Sequence, residues 1–157
     1  VIRDGLPVAV GEFTEVRDTP AMCDAIKQRF AGHEISIYPD ASGQNTSSKS
    51  ASVSDLSILR GAGFSVHANG QNPLIRDRVL SVNALILNSA GERRLKVNTV
   101  RCPKYTEALE QQAYDANGMP DKSTGHDHVN DAGGYFLVYR YPVRKPAAFN
   151  SGLGMAF

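Results

Sequence analysis

Short β-rich runs alternate with helical stretches along most of this chain, and that alternation limits the fold more than any other feature. Residues 1–3, the dipeptide Asp4-Gly5 and residues 6–14 read as strand, tight turn and strand, because Asp and Gly both tolerate positive φ. Thr19 and Pro20 open a helix as cap and first-turn residue; Met22, Cys23, Ile26 and Phe30 share its face, and Gly32 stops it. A strand at 34–38 leads into a polar stretch. A second helix starts near Ser52, paired with Asp55 in capping-box spacing, and ends at Gly61 and Gly63. After a strand at 64–68, Asn72-Pro73 opens a helix running to about Leu87 on an apolar stripe of Ile75, Val79, Val82 and Ile86. A strand at 94–100, a helix at 105–114 and a last helix from about His126 to Tyr139 complete the order. Strands that alternate with helices predict an α/β fold, a mixed central sheet flanked by helices, the opening hairpin supplying its antiparallel part.

At 157 residues with 41% hydrophobic content, the chain suits one domain with a full core. That domain is expected over residues 1–142, and the aperiodic stretch 143–157 is expected to be a flexible tail. No apolar run approaches the ~20 residues that cross a bilayer, so no membrane partner is expected. Two cysteines, Cys23 and Cys102, suit neither a disulfide framework nor a thiolate zinc site, and they fit a reducing compartment. The net charge of +1 says little, but its distribution says more. Arg76, Arg78, Arg93, Arg94, Lys96, Arg101 and Lys104 face only Asp77 and Glu92 between positions 76 and 104. Such a run is either a solvated face or a surface for a phosphate backbone.

Two places carry candidate chemistry. Asp40 falls where a strand ends and a loop of small residues begins, the position where α/β sheets bind ligands, although a lone Asp there also serves as a turn former. Ser42, Asn45 and Lys49 in the following loop are donors suited to DNA phosphates. Farther on, Asp127 and Asp131 stand four apart and so share a helix face, with His128 adjoining Asp131. Like charges at that spacing disfavour a helix, so a compensating cation is expected; carboxylates suit Mg²⁺ or Mn²⁺. The same acids also suit a helix start on dipole grounds alone. Residues 43–50 nearly match a phosphate-binding loop, but Ser48 stands where the second glycine belongs. His33 and His67 are isolated, and no nucleophile elbow, zinc spacing or dinucleotide fingerprint occurs.

The stretches "VIRDGLPVAVGEFTEVRDTPAMCDAI", "YPDASG", "NPLIRDRVLSVNALILNSAGERRLKV" and "DKSTGHDHVNDAGGYF" resemble the C-terminal nuclease domain of the large terminase subunit of tailed bacteriophages, of the headful-packaging, short-tailed type. The resemblance implies an RNase H-like, integrase-like fold and an endonuclease that cuts concatemeric duplex viral DNA with two Mg²⁺ or Mn²⁺ ions. It implies three acidic positions. Asp40 matches the second, and Asp131, or alternatively Asp127, supplies the third with His128 beside it. The first has no match, which implies an N-terminally truncated chain whose activity could be impaired. Implied partners are double-stranded DNA, the portal protein, the ATPase domain of the same subunit and the small terminase subunit, in the host cytoplasm.

In this reading Asp40, Asp127 and Asp131 hold metal ions ~3.5–4 Å apart, and Ser42, Asn45, Lys49, Arg76, Arg78, Arg93, Arg94 and Lys96 hold the duplex. Two other readings compete. The chain could be a non-catalytic module that docks DNA or portal, with the apolar residues of its tail as a binding peptide. It could also be another RNase H-like nuclease of the resolvase or transposase kind.

Overall fold

The computed structural model describes residues 1–41 and 54–143. The expected DNA contacts Ser42, Asn45 and Lys49, the phosphate-loop-like segment 43–50, the expected helix cap Ser52 and the tail from 144 to 157 lie outside the described residues.

The opening hairpin forms as its turn chemistry dictates. Asp4 and Gly5 take φ of 50° and 75°, so a two-residue turn joins β1 (Ile2–Arg3) to β2 (Leu6–Ala9) in antiparallel register. β2 then pairs in parallel with β5 (Lys96–Val97), giving the order β1-β2-β5. β2 stops at Ala9 rather than near residue 14, and the segment after it turns to the first helix. The carbonyl of Glu12 accepts from the Arg29 guanidinium at 3.0 Å, and that guanidinium lies 4.0 Å from the Phe13 ring centroid.

Helix α1 (Thr19–Arg29) is capped by Asp18 and not by Thr19: the Asp18 carboxylate accepts from the N–H of Ala21 at 2.9 Å. Thr19 instead donates its hydroxyl to Asp55 at 2.7 Å, tying α1 to the start of α2 (Asp55–Gly61). Ser54 caps α2 by accepting from Ser57 N–H. Cys23 of α1, Leu56 and Leu59 of α2, and Phe64 form a buried cluster under β3 (Ser36–Ile37) and β4 (Ser65–Val66), which pair in parallel. The expected single central sheet is therefore corrected: among the described residues the ladders make one three-stranded mixed sheet and one separate parallel pair. Strands of two to four residues offer few ladder bonds, and helix packing organises the chain instead.

That packing centres on α5 (His126–Arg140), which lies against α3 (Ile75–Ile86) and α4 (Pro103–Gln111). α3 turns Arg78, Ser81 and Leu85 inward, so its most buried face is offset from the predicted stripe of Ile75, Val79, Val82 and Ile86. The offset follows from α5. Gly133 and Gly134 flatten it at the crossing, and Arg78 and Tyr105 occupy the space that two side chains would need.

Candidate functional site

Asp40 follows β3 on the chain and is held from two sides. Asn72 donates from Nδ2 to Asp40 Oδ1 at 2.8 Å, while its own Oδ1 accepts the N–H of Ala41 at 2.8 Å. Tyr135 of α5 donates its hydroxyl to Asp40 Oδ2 at 3.0 Å. Burial, and next the hydrogen bond to Asp40, push the Tyr135 hydroxyl above its ordinary pKa, so this donor keeps its proton.

One helical turn before Tyr135 stands Asp131, and Arg78 joins the two. The Arg78 guanidinium donates to Asp131 Oδ1 at 2.5 Å and lies 4.8 Å from the centroid of the Tyr135 ring. Arg78, expected to hold the duplex, is only 4% exposed, and its guanidinium is turned to a partner inside the protein. A cation of the chain itself, 53 residues away in sequence, therefore stands beside Asp131.

Asp127 lies one turn farther back on α5 and is 4% exposed. Its Oδ1 is fully buried with no hydrogen-bond partner among the described residues, as is Oδ1 of Asn130. A buried acceptor left unpaired is costly, more so on a carboxylate. Both residues border a cleft of about 310 Å³ between α3, α4 and α5, walled on its apolar side by Val79, Val82, Ile86 and Leu109 and reached also by Arg78 and Asp131. Three of the four residues of the predicted α3 stripe, Val79, Val82 and Ile86, therefore line a cleft rather than a filled core. His128, expected beside the acids, is exposed and lies outside the cleft lining.

The donor chemistry suits a hard cation, since Asp127 and Asp131 both border the cleft and the buried Oδ1 of Asp127 has no hydrogen-bond partner among the described residues. Asp40 and Asp131 are linked through Tyr135 and Arg78, yet among the described residues no three His, Cys, Asp or Glu side chains stand close enough to share one ion. Arg78 occupies an oxygen of Asp131 that a metal would need.

Arg76, Arg93, Arg94 and Lys96 are exposed, and none enters an ion pair among the described residues. Residue-level reading missed Asn72, Asn130 and Tyr135, which carry no motif. Arg78 was read as one more member of a basic run, although Gly133-Gly134 within a helix is a signal that something packs closely there.

A family model described as the terminase RNaseH-like domain matches residues 1–140. No curated protein and no solved structure matches the chain.

Proposed function

The chain belongs to the terminase RNase H-like family, and from that premise we propose that it is a metal-dependent endonuclease that cuts concatemeric duplex viral DNA during genome packaging. The observation that carries the reading is the buried, unpartnered Oδ1 of Asp127, one helical turn from Asp131 in an open cleft. A cation placed there removes the cost of an unpaired buried carboxylate oxygen.

Asp127, Asp131 and Asp40 would hold the divalent ions, Mg²⁺ or Mn²⁺, with exposed His128 next to the site. Two ions held there would supply an activated water and offset charge on the leaving oxygen. The chain's own residues do the rest. Asn72 and Tyr135 fix both oxygens of Asp40, so its carboxylate meets a ligand already oriented. The apolar wall of Val79, Val82 and Ile86 limits water on one side of the acids. Arg76, Arg93, Arg94 and Lys96 hold phosphates without reading bases, and binding falls steeply with salt. Sequence-independent cutting suits a step timed by head filling. Work in the host cytoplasm with the portal, the ATPase domain and the small terminase subunit belongs to the same proposal.

The test combines supercoiled-plasmid nicking in Mn²⁺ or Mg²⁺ with Mn²⁺ binding followed by electron paramagnetic resonance. Wild-type chain is expected to bind Mn²⁺, and Asp127→Asn, which keeps the side-chain shape, to lose both binding and nicking by about 100-fold or more. Unchanged binding and nicking in Asp127→Asn, or no Mn²⁺ binding by the wild type, overturns the assignment.

A further inference from the structure

Arg78 is the one cation bordering the acid cleft among its described lining residues, and its position is built rather than incidental. Its stem crosses α5 at Gly134, where an added Cβ would stand 2.7 Å from Cγ and 2.8 Å from Cδ of Arg78. The guanidinium then has two neighbours that both lead to acids: Asp131 by a 2.5 Å ion pair, and the ring of Tyr135, whose hydroxyl holds Asp40. One arginine faces two carboxylates, so its charge offsets Asp131 and leaves Asp127 Oδ1 unpaired.

We propose that Arg78 gates the acid site: it is a resident cation that holds Asp131 in the metal-free chain and gives it up when a divalent ion binds, its guanidinium then passing to a DNA phosphate. The proposal rests on the endonuclease reading above and concerns how that site is controlled. Its physical basis is exchange between like partners. A guanidinium presents the same fork of N–H donors to a carboxylate and to a phosphate, so it can trade one for the other without losing its hydrogen bonds. A divalent ion at Asp127 and Asp131 repels a guanidinium only a hydrogen bond away, and an arriving phosphate attracts it. Metal entry and DNA entry are thereby coupled, which restrains cutting until a duplex is in place.

A purely structural ion pair predicts the opposite sign from a gate. If Arg78 only shapes the pocket, removing it weakens metal binding. If it competes with metal, removing it tightens metal binding. In the absence of DNA, Arg78→Met is expected to bind Mn²⁺ about tenfold more tightly than the wild type, a change of about 1.4 kcal/mol. Arg78→Lys, which restores a cation, is expected to return affinity toward the wild-type value. Nicking is expected to fall in Arg78→Met despite the tighter metal. Circular dichroism verifies that each variant is folded.

A folded Arg78→Met with unchanged or weaker Mn²⁺ affinity overturns the gate and leaves the endonuclease reading standing. Wild type and variants that all fail to bind Mn²⁺ overturn the endonuclease reading, and the gate with it. Should Arg78→Met not fold, the wild type decides by nuclear magnetic resonance. The Nε–Hε signal of Arg78 is expected to move on addition of Mg²⁺ and again on addition of a short duplex, and a signal that stays fixed through both overturns the gate.

Discussion

Gly134 of α5 and Arg78 of α3 are fitted to one another: the glycine leaves the space through which the arginine stem passes on its way to Asp131. The contact involves Cγ and Cδ of a buried side chain, not the free end of a mobile one. A methyl group at 134 therefore has no easy way to be accommodated.

Gly134→Ala is expected to lower stability by about 1–3 kcal/mol, because overpacking outweighs the roughly 1 kcal/mol by which Ala exceeds Gly in a helix. Gly61, the last residue of α2, is the internal control, since a Cβ there meets nothing within 4 Å and its φ is not positive. Gly61→Ala is expected to be neutral or mildly stabilising. Urea denaturation of both variants measures the difference, and equal effects at the two sites would remove the notch from the account.

Glu12 anchors the opening segment to α4 from far away in sequence. Its two carboxylate oxygens accept the N–H groups of Lys104 and Tyr105, each at 2.9 Å. Cys102, the N-cap residue, makes no side-chain cap bond, so Glu12 supplies acceptors that α4 lacks locally. Glu12→Ala is expected to cost about 1–2 kcal/mol in urea denaturation. Amide exchange is expected to quicken at Lys104 and Tyr105 in particular, which distinguishes a lost cap from general destabilisation.

What the residues reveal on their own stops where partners are distant. The Asp4-Gly5 turn is local chemistry and was legible. So was the placement of Asp127 and Asp131 one turn apart on a single helix. The pairing of Arg78 with Asp131 was not legible, because Arg78 belongs to another helix and sits among exposed arginines of the same type. The choice between Asp18 and Thr19 as cap turned on one backbone angle: Asp18 is extended, with φ of −158°, while Thr19 is already helical. The single central sheet was expected from strand and helix order. Order fixes which elements alternate, but strands two residues long leave the pairing to helix packing.

Alkaline pH offers a direct reading of the α4–α5 contact. Burial pushes the Tyr105 hydroxyl from its ordinary 10.0 up to about 12. Its folded value lies above its unfolded one, so the stabilisation is complete below about pH 10 and is lost as pH rises through about 12. Stability is expected to fall by up to about 1.4 kcal/mol per pH unit across that window. Tyr135 is raised as well and acts with the same sign. Tyr105→Phe is expected to flatten the decline in urea denaturation between about pH 10 and about pH 12. An equally steep decline in that variant would assign it to other groups.

The exposed cations give the last prediction, in which the same residue type divides by burial. Arg93, Arg94, Lys96 and Arg76 can release counterions from a duplex, whereas Arg78 is committed to Asp131 before DNA arrives. Each phosphate contact contributes about −0.9 to the slope of log affinity against log salt. Arg94→Gln or Lys96→Gln is therefore expected to make that slope shallower by about one and to weaken binding equally on unrelated sequences. Fluorescence anisotropy with two labelled duplexes of different sequence, titrated from about 50 to 200 mM salt, covers the range where such terms are large. A slope unchanged in both variants would move the duplex to another face of the molecule. Loss of binding to one sequence only would replace backbone contact with base readout at that residue.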